Sequence, residues 1–337
     1  MNRFFQISHP EKIEILQQAS VKTGLPAYAV EKDWWVVQVL TVLFEMAIGS
    51  HLVFKGGTSL SKAWGLIERF SEDVDLAVDR SFFGFEGDLN KSQRTKLRKH
   101  ANAYIVSVVY PELKTRFEEK GVPGIIVELE EIKSSDQDPV IINVIYPFVI
   151  ESPGYLQSRV QIEIGCRSLH EPFTSRSILS LVDEVFPVTS FSQPSVDVPA
   201  VNPERTFLEK VFLLHEEFQR PADKRRVERL SRHLYDVYQL AKTPFAEKAL
   251  SDPSLYQTIV NHRQRFTHLG GVDYQLHQPQ TINPIPAEAV LTSWKADYNT
   301  MREQMIYGHP PEFEQMIQGI DDLRKTMNDL DWTIEIA

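Results

Sequence analysis

The chain has a single cysteine, Cys166, in 337 residues, so no intrachain disulfide can form and stability must come from a packed core. Such sparing cysteine usage is compatible with a reducing compartment. Long hydrophobic runs are also missing. The most apolar stretch, 36–48, is broken by Gln38 and Glu45, well short of the 18 or more apolar residues that a membrane span needs. Charge interrupts the N-terminal MNRFFQISHPEKIEILQQ where a signal peptide would carry a continuous apolar region. The expectation is a soluble, cytoplasmic protein with no membrane partner. The 15 glycines and 20 prolines are scattered, there is no repeat or low-complexity tract, and 42% hydrophobic with 24% charged residues excludes disorder, collagen and coiled coil. An excess of positive charge is lacking too. The formal net charge of −10 argues against a protein that coats nucleic acid with its whole surface, while leaving a local basic groove open. Ten histidines show no HExxH or paired-ligand spacing, so zinc is not expected.

At about 150 residues per domain the length suggests two domains. Apolar periodicity predicts helices over 13–22 and 30–48, separated by Gly24 and Pro26. A short strand at 52–54 runs into Lys55-Gly56-Gly57-Thr58-Ser59, followed by a helical pattern over 60–68 and a strand over 73–78. A charged helix is expected over 91–120, interrupted near Pro111. Strands at 125–129, 140–146 and 159–164 are rich in Val and Ile. The turn-rich SFSQPSVDVPAVNP, 190–203, reads as a linker, dividing the chain into 1–190 and 191–337. Beyond it, helices are predicted over 203–218, 227–242, 254–266, 286–305 and 312–329, with Pro203 well placed in a first turn. The fold class is α+β, a mixed sheet flanked by helices followed by a mostly helical C-terminal part.

Alternation on DVDLAVD puts Asp73, Asp75 and Ala77 on one strand face and Val74, Leu76 and Val78 on the other. The two carboxylates share a side with Cα atoms roughly 6–7 Å apart, close enough to converge on one hard cation. Asp-x-Asp alone also fits the solvated end of a strand. The preceding Gly56-Gly57-Thr58-Ser59 lies at a strand-to-helix turn, where paired glycines let the backbone approach a phosphate and Thr58 or Ser59 can add a hydroxyl. It is no P-loop, since GGTSLSKA would need Gly at 61 and Ser or Thr at 63; a tight turn with a helix cap is the alternative. Glu163 stands opposite Val160, Ile162 and Ile164 on its strand, facing the site only if that strand neighbours DVDLAVD.

A Gly-Gly-Thr turn, a short helix, an Asp-x-Asp strand and a later acidic strand residue together resemble the DNA polymerase β-like nucleotidyltransferase superfamily. More narrowly, FKGGTSLSKAWGLIERFSEDVDLAV (54–78) resembles the AbiEii/AbiGii toxin family of type IV toxin–antitoxin and abortive-infection systems. Further segments similar to that family follow in order: Glu31-Lys32-Asp33-Trp34-Trp35, Glu204-Arg205-Thr206-Phe207-Leu208-Glu209-Lys210 and Arg232-His233-Leu234-Tyr235-Asp236. Together they span roughly residues 28–242. One departure is Thr58, where Ser is commoner in the superfamily, and both supply a hydroxyl.

The resemblance implies transfer of nucleotides from an NTP in the presence of Mg²⁺ or Mn²⁺. Asp73, Asp75 and Glu163 would be metal ligands, Gly56, Gly57, Thr58 and Ser59 would hold the NTP, Lys210 would contact its triphosphate, and Asp236 would be the fourth-motif acid. It also implies a cognate antitoxin and an acceptor such as tRNA or another RNA. Helical spacing places Lys210 on an apolar arc between Phe207, Leu213 and Leu214, where it either snorkels to water or meets a buried anion. Asp236, one turn after Arg232, could be a plain surface ion pair instead. Residues 220–232 carry six basic against two acidic side chains, so Arg225, Arg226, Arg229 and Arg232 are candidate nucleic-acid contacts or else a solvated helix face. Cys166 reads as a small buried side chain and Ser71 as a helix-to-strand cap. Two rival functions share the residues: a non-catalytic NTP- or RNA-binding module, and a kinase moving the γ-phosphate.

Overall fold

The computed structural model describes residues 3–71, 73–152, 157–167 and 172–336. The chain divides into two compact units, Met1–Trp64 with Phe70–Val201, and Gly65–Arg69 with Asn202–Ala337. The 190–203 segment expected as a linker in fact contains a strand of the first unit, 196–201.

In the first unit the elements run α1 (His9–Thr23), α2 (Ala27–Glu45), β1 (Leu52–Lys55), α3 (Gly56–Lys62), β2 (Asp73–Val78), α4 (Lys91–Tyr104), α5 (Tyr110–Glu119), β3 (Ile126–Leu129), β4 (Val140–Ile145), β5 (Arg159–Gly165), β6 (Phe173–Ile178), α6 (Leu181–Val185) and β7 (Val196–Val201). The seven strands form one mixed sheet in the order β3-β4-β5-β2-β1-β7-β6. β2 and β5 are parallel, as are β1 and β7, whereas the other neighbours are antiparallel. Val74, Leu76, Val78, Ile162 and Ile164 fill the core beneath β2 and β5 with no exposed surface. Each such side chain contributes roughly 1.5–3 kcal/mol.

Helix α2 explains a motif that the sequence left without a role. It is apolar nearly all round and buried from Ala29 to Leu40, including Glu31, Lys32 and Asp33. Each of these charges has a fixed partner: Glu31 accepts the N–H groups of Val149 and Ile150 at 2.8 and 3.0 Å, Lys32 donates to the Gln157 carbonyl at 3.0 Å, and Asp33 accepts the Leu181 N–H at 2.7 Å. Asp33 also pairs with Lys62 at 2.9 Å, anchoring the last residue of α3 to the core helix. Helix α3 starts at Gly56 itself, one turn earlier than expected, and stops at Lys62 instead of 68. Gly65 with φ +62 lies outside the helical region. Over 91–119 the chain stays helical through a π-turn at Ile105–Val109, which immediately precedes Pro111 in the first turn of α5.

The second unit is helical: α7 (Pro203–Gln219), α8 (Ser231–Leu240), α9 (Pro244–Leu250), α10 (Pro253–Phe266), α11 (Glu288–Gln304) and α12 (Phe313–Asn328). Among the described residues no helix is long and apolar enough to cross a membrane. Glu216 on α7 is completely buried and receives both ends of the Arg263 guanidinium, at 2.7 and 2.5 Å. Burial alone would raise its carboxyl, but hydrogen bonds from Arg263 and His277 hold it down to about 2.

Candidate functional site

Register brings the acids of the first unit together. On parallel strands in register, paired residues share a face, and β2 pairs with β5 so that Asp73 lies opposite Gln161 and Asp75 opposite Glu163. The strand bearing Glu163 is therefore the immediate neighbour of the acidic strand. Lys55 at the end of β1 pairs with Asp75 from the other side, which puts Lys55, Asp75 and Glu163 in one row across three strands. Gln161 donates to Glu163 at 3.0 Å and so orients its carboxylate along β5.

The glycine turn is built against this row. Gly56 has φ +78, and a Cβ placed there would stand 1.9 Å from Asp75 Oδ2. Only glycine combines that left-handed backbone with so close an approach of a carboxylate. The hydroxyl of Thr58 donates to the Asp73 carbonyl, tying the turn to the strand that carries both acids. That proton is thus used within the protein, and Thr58 acts as a tether. Ser59 Oγ is buried and makes no hydrogen bond.

A cavity of about 200 Å³ opens beside the row, lined by Lys55, Asp75, Glu163, Asp138 and Arg167 among others. Asp138 and Arg167 carry no local motif, and neither stood out in the sequence. Arg167 follows β5 by two residues and donates Nε to Asp138 Oδ2 at 2.7 Å, while the Cys166 N–H reaches Asp138 Oδ1 at 2.9 Å. Cys166 is buried as expected, and burial with Asp138 nearby pushes its thiol far up, so it is an inert side chain.

In the second unit the structure corrects one reading and decides another. Asp236 is not a surface partner of Arg232: it is completely buried and forms a two-pronged ion pair with Arg69, Nε to Oδ1 at 2.7 Å and Nη2 to Oδ2 at 2.8 Å. Lys210 Nζ lies 2.8 Å from Asp236 Oδ2 and 3.4 Å from His233 Nδ1. Lys210 is therefore not snorkelling; its ammonium meets a buried anion, and that anion is Asp236. Burial alone would raise the Asp236 carboxyl, yet Arg69 and Lys210 hold it well below the usual carboxylate range. Burial lowers Lys210, opposed by Asp236, and it lowers His233 strongly, so the imidazole is neutral and can accept from the ammonium. Nothing in the sequence around Arg69 marked it as the partner.

The basic segment is partly neutralised internally. Arg226 makes a 2.8 Å pair with buried Glu217, which also holds Arg220 at 3.1 Å. Arg225 Nε donates to the Arg220 carbonyl, and the Arg229 N–H, on a backbone with φ 61, donates to Asp297. Arg232 Nε is buried without a hydrogen bond. Of the four arginines, Arg226 is the exposed one.

Mg²⁺ or Mn²⁺ would meet hard oxygen donors here, which suits either ion. Among the described residues no three His, Cys, Asp or Glu side chains converge tightly enough to hold a metal ion. A cation on Asp73 and Asp75, with Glu163 adjacent, would thus need phosphate oxygens and water to complete its shell, the common arrangement for Mg²⁺.

A seven-stranded mixed sheet flanked by helices, followed by a helical second unit, defines an α+β protein. The chain belongs to the AbiEii family, described as nucleotidyl transferase toxins of type IV toxin–antitoxin systems, whose profile matches residues 38–326. Membership implies an antitoxin partner. Similar solved structures include JHP933 from Helicobacter pylori, with 14% identity over 90% of this chain and 93% of that one at a TM-score of 0.45. Another is MenT4, a nucleotidyltransferase toxin from Mycobacterium tuberculosis, with 14% identity over 96% and 97% of the two chains at a TM-score of 0.46. No curated protein sequence matches the chain significantly.

Proposed function

We propose that this toxin transfers a nucleotide from an NTP to an acceptor hydroxyl of tRNA or another RNA, the acceptor oxygen bonding the α-phosphorus and giving up its proton as pyrophosphate leaves, in a reaction dependent on Mg²⁺ or Mn²⁺. The observation that carries the reading is the packing of the Gly56 backbone directly against Asp75, in the row that also holds Glu163. A phosphate-approaching turn and a cation-holding carboxylate are then parts of one construction. Asp73 and Asp75, with Glu163 beside Asp75, would hold the cation together with phosphate and water oxygens, and the cation would neutralise charge on the phosphates and lower the pKa of a bound hydroxyl. Gly56 leaves room for the Asp75 carboxylate, Gly57 would let the phosphate chain approach the backbone, and Thr58 keeps that turn in place over the Asp73 strand. Catalysis by these residues is positioning and electrostatics, without a covalent intermediate. The phosphate-contact role of Lys210 and the fourth-motif role of Asp236 rest on the family resemblance alone, and within the second unit the two side chains form a buried ion pair. Arg226, with Arg225, Arg229 and Arg232, is the proposed RNA contact.

The test incubates the purified protein with tRNA or total RNA and each NTP labelled at the α or the γ phosphate, with Mg²⁺ or with EDTA. Only the α label should be retained in RNA, only with the metal, and Asp73→Asn should abolish both incorporation and growth inhibition while the protein stays folded. Retention of the γ label would make the protein a kinase, and tight NTP binding without any labelled product would make it a binding module. Full toxicity of Asp73→Asn would refute the site. Growth rescue by the adjacent reading frame would identify the antitoxin.

A further inference from the structure

The pair Arg167–Asp138 has no part in the motifs, yet it lines the same cavity as Asp75 and Glu163. We propose that Arg167 binds a phosphate of the nucleotide and that Asp138 is the positioning residue that aims it. The inference rests on the nucleotidyltransferase reading and names a further substrate contact within it.

Three observations converge. Asp138 is a buried carboxylate, 4% exposed, whereas Arg167 is 41% exposed. Asp138 grips the guanidinium along one edge, through Nε to its carboxylate and Nη2 to its own main-chain carbonyl, while the adjacent Cys166 N–H fixes the other carboxylate oxygen. A guanidinium held in this way has lost much of its rotamer freedom before any ligand arrives, so less affinity is lost to ordering it. Its planar fork matches phosphate oxygens in a way that a lysine ammonium does not.

The second observation is charge. Asp75 and Glu163 repel an anion, so a phosphate drawn toward a cation on those acids needs a positive group on the same wall. Lys55 and Arg167 are the basic side chains lining this cavity. The third is size. At about 200 Å³ the cavity is smaller than the roughly 300–1,000 Å³ of pockets that enclose a whole drug-sized ligand, so it fits a charged moiety better than a complete nucleotide. A salt bridge serving only to secure the end of β5 would affect stability and leave ligand binding alone.

The experiment measures dissociation constants of the full chain for the four NTPs, for tripolyphosphate, for adenosine and for a single-stranded RNA oligonucleotide, with Mg²⁺ present, by calorimetry. Arg167→Ala should weaken NTPs and tripolyphosphate alike by tenfold or more and leave adenosine unchanged. Arg167→Lys, which keeps the charge but loses the fork, should recover part of the affinity and stands in if the alanine variant does not fold. Asp138→Asn should lose affinity by less than Arg167→Ala, and should lose nothing further in the Arg167→Ala background, because it acts through the guanidinium. Unchanged triphosphate affinity in folded Arg167→Ala overturns the proposal. So does a defect confined to a single-stranded RNA oligonucleotide, which would place Arg167 on the acceptor. Wild-type protein that binds no triphosphate would instead defeat the underlying functional reading as well.

Discussion

Gly56→Ala separates backbone strain from active-site displacement. At φ +78 an alanine costs about 1–2 kcal/mol. Its methyl would also lie 1.9 Å from Asp75 Oδ2, where real contacts stay beyond about 3 Å, so the carboxylate must retreat by about 1 Å or more. A misplacement of that size at a reacting centre can cost on the order of 10²-fold in rate. Gly24→Ala is the matched control: its φ of +73 carries the same backbone penalty, but nothing lies within 4 Å of the added methyl. Gly24→Ala should lose about 1–2 kcal/mol in denaturant titrations and Gly56→Ala at least as much, and only Gly56→Ala should lose nucleotide incorporation, by about 10²-fold. The assay is incorporation of α-labelled NTP at saturating Mg²⁺ beside urea unfolding of the same preparations. Wild-type turnover by Gly56→Ala would refute the placement of Asp75 in the reaction, and equal activity losses in the two variants would assign the effect to stability alone.

Two more outcomes follow from buried charge. Asp236→Asn removes the anion shared by Arg69 and Lys210, which leaves two buried cations facing each other, and should cost about 3–5 kcal/mol in denaturant unfolding; a change below about 1 kcal/mol would show that the pair is solvated. Burial raises the Glu31 carboxyl from the ordinary 4.5 to about 7, against the two N–H groups and Lys12 that favour its charge. The native state then keeps a proton that the unfolded chain releases between those values, so the contribution of Glu31 to stability is fullest below pH 4.5 and falls, by up to about 3 kcal/mol, as pH rises through 7. Glu31→Gln should flatten that fall when urea midpoints are compared at pH 5 and 8, and an unchanged difference would refute the assignment.

Much of the first unit was legible residue by residue. The alternation of DVDLAVD gave β2 its bounds and its two faces, since Val74, Leu76 and Val78 have to be buried together. The strands around Val140 and Ile162 were marked by β-branched residues, and α7 by Pro203 with its apolar arc. Strand β6 was missed because its sequence, FTSRSI, is exposed along most of its length and carries no apolar alternation. Strand β7 was hidden by its Pro199 and by the serines and prolines that flank it, although its Val198 and Ala200 face the core. The glycine pair was recognisable, but the reason Gly56 must be glycine lies in Asp75, nineteen positions on, and not in the turn alone.

Sequence by itself determined which side chains share a face, because strand and helix periodicities are local and set by backbone geometry. It therefore fixed Asp73 with Asp75, and Lys210 on a buried arc. Partnership was decided only by tertiary structure: Glu163 beside Asp75 required β5 to enter the sheet next to β2, Asp236 found Arg69 across 167 residues of chain, and Arg167 found Asp138 across 29. A buried charge has to be neutralised by whatever group packing brings to it, and that neighbour is set by the whole arrangement of elements, not by the residues on either side.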